Sequence, residues 1–164
     1  MDGILVLHGP NLNLLGIRET NIYGTISLSE IDQRLVKIGE ELGWDIKTFQ
    51  SNNEGALIDA LQDAMTSVLG VVFNPGGYTH TSVAIRDAIS AIHIPVIEVH
   101  VTNPQAREDF RHTSLVSGVC LGTIAGFGWY SYVLALQALT NYLVTNKPQF
   151  IGSTSKKVEE YIGR

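Results

Sequence analysis

The sequence predicts an α/β fold: one doubly wound, five-stranded parallel sheet covered by helices on both faces, three layers in all. Three observations carry this. Strand-like and helix-like segments alternate along the chain. The strand-like runs are short and almost continuously apolar, as strands buried on both faces are. The 164 residues amount to one domain of ordinary size, and 45% apolar residues is enough for a core.

Each element follows in order. Residues 4–7 are an apolar run ending at a Gly-Pro turn, which reads as the first strand. Ser27 followed by Glu30 is a capping box, after which Leu28, Ile31, Leu35, Ile38 and Leu42 recur at helical spacing until Gly43. Residues 45–49 read as the second strand, and Ala56, Leu57, Ala60, Leu61 and Ala64 predict the next helix. Residues 70–73 form the third strand, closed by the turn Asn74-Pro75-Gly76-Gly77. Thr81 or Ser82 caps a helix with Val83, Ala84, Ala88, Ile89 and Ile92 on its apolar side. Residues 95–99 and 118–125 are the fourth and fifth strands, and 129–144 the closing helix. Residues 1–146 are thus expected to form a single domain, with 147–164 as a polar tail that has helical character only near 158–162. Five strands and about five helices make a flavodoxin-like strand order the expectation.

A net charge of −5 gives no electrostatic reason to expect nucleic acid or an anionic membrane surface as partner. The single cysteine, Cys120, excludes an intrachain disulfide, sits in an apolar run and reads as core filler. It fits a reducing, cytoplasmic setting. The opening MDGILVLHGPN has no basic region and no long apolar region, so it does not read as a signal peptide. Between His112 and Asn146 there is no Lys, Arg, Asp or Glu. Gly122, Gly126 and Gly128 interrupt that stretch and several Ser, Thr and Asn residues dilute it, so it does not read as a membrane span. It reads instead as a buried strand and a helix covered on several sides, which points to subunit contacts.

In a doubly wound sheet, ligands bind outside the carboxyl ends of the strands, and there the polar residues gather. His8-Gly9-Pro10-Asn11-Leu12-Asn13, Arg18 and Tyr23 follow the first strand. Asn74 to Ser82, with His80, follows the third. His100-Val101-Thr102-Asn103, Arg107 and Arg111 follow the fourth. Each alone has an ordinary reading: a Gly-rich turn, a helix-capping histidine, a core histidine, a solvated charge cluster. Three such clusters on one edge of one sheet do not. Familiar chemistries are missing. The sequence has no P-loop, no dinucleotide fingerprint after the first strand, no metal-ligand spacing and no nucleophile elbow. Its five lysines, Lys37, Lys47, Lys147, Lys156 and Lys157, all lie away from the predicted strand ends, so an imine mechanism is not expected. A non-catalytic module is the competing reading, since such folds also bind flavin phosphate or act as receivers, but it leaves Arg18, Tyr23 and His100 unexplained.

Across nearly all of residues 4–143 the chain resembles the type II 3-dehydroquinate dehydratases. The resemblance rests on Gly9-Pro10-Asn11-Leu12-Asn13-Leu14-Leu15-Gly16, Arg18 with Tyr23-Gly24, Gln50-Ser51-Asn52, and Asn74 to Ser82 with Arg86-Asp87. It continues through Glu98-Val99-His100 and residues 107–112. It implies a flavodoxin-like fold, a dodecamer built as a tetramer of trimers, and dehydration of 3-dehydroquinate to 3-dehydroshikimate in the shikimate pathway or in quinate breakdown, with no metal or organic cofactor. By position it implies Tyr23 as the base that removes a C2 proton, Arg18 on a mobile lid beside it, and Asn11 helping to stabilise the enolate. It implies His100 as proton donor to the leaving hydroxyl, and Asn74, His80 and Arg111 as substrate contacts. The amides of Val101 and Thr102 would cradle the carboxylate, Asp87 would act across the trimer contact, and Arg107 would sit near the tyrosine. Val101-Thr102 stands where many members have Ile-Ser or Leu-Ser, and His112-Thr113-Ser114 where His-His-Ser is more usual.

These residue types suit that chemistry. A free tyrosine titrates near a pKa of about 10 and is almost wholly neutral at pH 7. Nearby positive charge favours the tyrosinate, and Arg18 and Arg107 can supply it without titrating. The lid, residues 14–23, has Gly16 and Gly24 as its hinges, and closure would exclude water.

Overall fold

In the computed structural model, the described residues are 2–17 and 20–146, with the side chains of Thr20 and Tyr23 excepted. Five strands, β1 (Gly3–His8), β2 (Asp45–Gln50), β3 (Gly70–Asn74), β4 (Val96–His100) and β5 (Gly122–Ala125), form one sheet in the order β2-β1-β3-β4-β5. Every pairing is parallel. This is the flavodoxin-like order, with its switch point between β1 and β3. The helices are α1 (Thr20–Tyr23), α2 (Leu28–Leu42), α3 (Glu54–Ser67), α4 (Val83–Ala91) and α5 (Tyr130–Thr145).

The two faces of the sheet sort by the period of two in a strand. Ile4 and Val6 of β1 join Val72, Ile97 and Val99 under α2 and α5, where Ile31, Leu35, Leu136 and Leu139 pack. Leu5 and Leu7 turn the other way, with Val71 and Phe73, against Leu57 and Leu61 of α3 and Ile85 and Ile89 of α4. Three layers result, as expected. Cys120 packs at the edge of the second cluster, and burial pushes its thiol up to about 12.

The helix signals act where they were read. Ser27 accepts the Glu30 amide while Glu30 reaches back to the Ser27 amide, a complete capping box, and Gly43 ends α2 in the left-handed region at φ 83. Of the two candidate caps for α4, Ser82 is the one used; its hydroxyl accepts from the Ile85 amide. Asn53 caps α3, which starts two residues earlier than the apolar spacing indicates. The fifth strand needs correction. Residues 117–119 are a short 3-10 turn and the strand is only Gly122–Ala125. Ser114 explains the delay, because its hydroxyl accepts the amides of Val116 and Ser117 and holds the chain in a turn before it can join β4.

Candidate active site

The carboxyl ends of β1, β3 and β4 open on a cleft of about 170 Å³. Its lining includes Asn11, Asn74, His80, His100, Val101, Thr102, Arg107 and Arg111. Eight of the eleven expected site residues are therefore brought together. Asp87 is exposed on α4 and does not line the cleft of its own chain. Arg18 and the side chain of Tyr23 lie outside the described residues. Ile22 and Gly24, on either side of Tyr23, line an adjoining hollow with Arg107.

Backbone proximity builds the mouth. Gly9 donates its amide to the Asn74 carbonyl at 2.7 Å, and a Cβ at Gly9 would sit 2.4 Å from the Pro75 carbonyl oxygen. Only glycine lets the loops after β1 and β3 approach so closely. Asn11 adopts the left-handed region at φ 67, which asparagine tolerates better than other non-glycine residues. Its amide donates to Asn52 Oδ1 at 2.9 Å, and Gln50 Nε2 donates to the same oxygen and to the Gly9 carbonyl. The Gln50-Ser51-Asn52 motif is thus a brace for the loop that carries Asn11, a role the sequence reading did not assign.

His100 ends β4 beside Glu98, whose side chain is fully buried. Burial alone would raise that carboxyl's pKa. Hydrogen bonds from His100 and Thr79, the charge on His100 and a bond from Ser114 outweigh it, and Glu98 titrates below the usual carboxylate range. Thr79 and Ser114 donate to one oxygen, with Thr123 donating to the other at 3.2 Å. An ionised carboxylate only accepts, so His100 Nε2 carries the proton of their 2.7 Å bond. Nδ1 remains as the nitrogen that can exchange a proton with a ligand. His80 is oriented the same way: Nδ1 donates to the Thr113 carbonyl at 2.8 Å, leaving Nε2 to face a ligand. A main-chain oxygen makes that contact, so threonine serves at 113 where histidine is more usual.

Both cations of the cleft are held by one carboxylate, Glu108. Arg111 Nε pairs with Glu108 at 2.8 Å and its guanidinium lies over the Phe110 ring. Arg107 reaches Thr102 Oγ1 at 3.3 Å and Glu108 at 3.4 Å. Glu108 titrates below its ordinary value, through its backbone hydrogen bond and then its bond from Arg111. Among the described residues, Arg107 and Arg111 are the cationic side chains that line the mouth, and their guanidinium groups are suited to contact a small anion. Among the described residues no group of three or more His, Cys, Asp or Glu is placed to hold a metal ion.

Fold and site together define an α/β protein of the flavodoxin-like class whose strand ends carry a cleft lined by histidines, asparagines and arginines. Comparison with known proteins narrows this. The model of class II dehydroquinases matches residues 2–140, and the chain belongs to that family. It is similar to the 3-dehydroquinate dehydratases of Desulforudis audaxviator, 54% identical over 88% of this chain and 96% of that one, and of Acaryochloris marina, 53% identical over 87% and 95%. In three dimensions it resembles the crystal structure of the type II dehydroquinase from Butyrivibrio crossotus, with a TM-score of 0.83 and 45% identity over 84% of this chain and 97% of that one.

Proposed function

We propose that this chain is a 3-dehydroquinate dehydratase working by proton removal alpha to a ketone. The observation that carries the reading is His100, held by buried, ionised Glu98 at the carboxyl end of β4 and sharing one cleft with Asn74, His80, Arg107 and Arg111. Membership of the class II dehydroquinases supports it.

Tyr23, as tyrosinate, takes the C2 proton, and the C–H electron pair moves into the enolate of the C3 ketone. Arg18 on the lid and Arg107 favour the tyrosinate, and Asn11 helps to stabilise the enolate. His100 then gives a proton from Nδ1 to the C1 hydroxyl. The C1–O bond breaks, the C1–C2 double bond forms, and water leaves. Tyr23 then releases its proton to solvent and His100 takes one up, which restores both residues. Asn74, His80 and Arg111 hold the substrate hydroxyls, and the amides of Val101 and Thr102 hold the carboxylate. No step requires a metal or organic cofactor.

The catalytic unit is residues 1–146; the tail expected at 147–164 lies outside the described residues. We further infer a cytoplasmic dodecamer, a tetramer of trimers in which Asp87 reaches a neighbouring subunit's cleft. Phe127, Tyr130 and Leu121 are exposed around the short edge strand β5, which supports association. No helix among the described residues is long and apolar enough to cross a membrane.

The test is ultraviolet absorbance of the conjugated enone-carboxylate product when 3-dehydroquinate is added to the purified protein. Product formation that is unaffected by a chelator is expected. Absence of product from folded protein would overturn the reading.

A further inference from the structure

The cleft floor is tied to the protein surface by a directional chain of side chains outside the catalytic set. Gly76 donates its amide to Asn74 Oδ1 at 3.1 Å. A backbone N–H can only donate, so the Asn74 carboxamide has one orientation and its Nδ2 points at Tyr132 Oη, 2.9 Å away. Tyr132 is fully buried in the first turn of α5. Its oxygen accepts from Asn74, so its own proton goes to His8 Nδ1 at 2.9 Å. His8, also fully buried, therefore carries its proton on Nε2 and gives it to Asp32 Oδ1 at 2.9 Å. Asp32 stands on α2 with a quarter of its side chain exposed. Each bond in the series thus has one direction, and no buried side-chain polar atom among the described residues lacks a partner.

We propose that Asp32, His8 and Tyr132 are positioning residues that hold Asn74 as a hydrogen-bond donor to the substrate. An amide nitrogen has two protons. One is consumed by Tyr132, and the second serves an acceptor atom in the cleft that Asn74 lines. Were the carboxamide reversed, an oxygen would face Tyr132 and the Gly76 amide would face a nitrogen. The relay spans α2, β1, α5 and β3 across the switch point, so it also fixes where the Asn74 side chain stands relative to His8. This rests on the reading of the cleft as a dehydroquinate site. A parent protein without dehydratase activity defeats that reading, and the inference fails only in an active parent.

The test is steady-state kinetics on 3-dehydroquinate with the full chain, paired with thermal melts. Tyr132→Phe removes only the hydroxyl. It is expected to raise KM about five- to tenfold with kcat within about threefold, the size of one lost hydrogen bond. The same substitution in an Asn74→Ala background should change KM by less than about twofold, because residues acting through one partner are non-additive. At the partly exposed end, Asp32→Ala should raise KM in the same direction. Asp32→Asn keeps an oxygen for His8 Nε2 and should stay within about twofold of the parent. A general packing defect would shift KM equally in both Asn74 backgrounds and would not be rescued by asparagine at 32. Either result, or parent-like KM in both Tyr132→Phe and Asp32→Ala, overturns the proposal. If Tyr132→Phe melts too low to assay, the Asp32 pair decides alone.

Discussion

Single side chains set the acid-base logic of the cleft. Tyr23→Phe removes one hydroxyl and is expected to lower kcat by at least about a thousandfold, within the usual range for a proton-transfer group, while the melting temperature stays near the parent's; activity within tenfold would displace Tyr23 as base. Arg18 separates charge from shape. Lysine keeps the charge without the planar fork, so Arg18→Lys should retain more kcat/KM than Arg18→Ala. The alanine variant should move the basic limb of the kcat/KM profile upward, because Tyr23 loses a cation that favours its ionised form. An unmoved limb would leave Arg18 with lid ordering alone. Glu98 gives a stability prediction whose sign follows from its lowered pKa. A carboxyl depressed by folding contributes stability at pH above its unfolded value of about 4.3, and this is lost as pH falls through the folded value. Urea midpoints of the parent should therefore fall more steeply below pH 5 than those of Glu98→Gln. Equal slopes would mean that Glu98 is not held ionised by His100 and Thr79. The nature of this site was legible because His80, His100, Arg107 and Arg111 fall at strand ends. The Asp32, His8 and Tyr132 series was not, since its members lie 24 and 124 residues apart and only packing brings them together.

At the scale of elements, two glycines with the same backbone answer different questions. Gly16 and Gly43 both sit at φ 83. A Cβ at Gly43 would meet nothing within 4 Å, whereas one at Gly16 would lie 2.9 Å from the Thr25 carbonyl oxygen. Each alanine variant should lose about 1 kcal/mol for the left-handed conformation. Only Gly16→Ala should also lower kcat/KM, because it sits at the base of the lid segment that leads to Tyr23. Denaturant midpoints and kinetics on the two variants check this, and equal kinetics would remove the hinge role. Elements were legible where local chemistry decides them: the Ser27 and Glu30 box, the Gly43 stop, the apolar runs of β1, β3 and β4. The fifth strand was misjudged because 118–121 is apolar enough to extend, and the Ser114 hydroxyl that holds the preceding turn answers to Glu98, a residue on another strand. The short helix α1 was likewise read only as lid.

The whole molecule leaves Phe127 62%, Tyr130 47% and Leu121 45% exposed near one sheet edge. Light scattering should therefore give a particle well above the 17.9 kDa of one chain, with a trimer-based dodecamer as the expected species. A stable, active monomer would remove both the assembly and the place of Asp87 in it. The parallel sheet has one further bearing. Because all five strands run the same way, the described chain enters at Asp2 and leaves at Asn146 on the rim where strands begin. The cleft opens on the other rim, about 17 Å away along the six residues of β1. A handle joined ahead of Asp2 would thus leave each subunit from the rim opposite its own cleft, so a tag there would not stand in the substrate's path into that cleft.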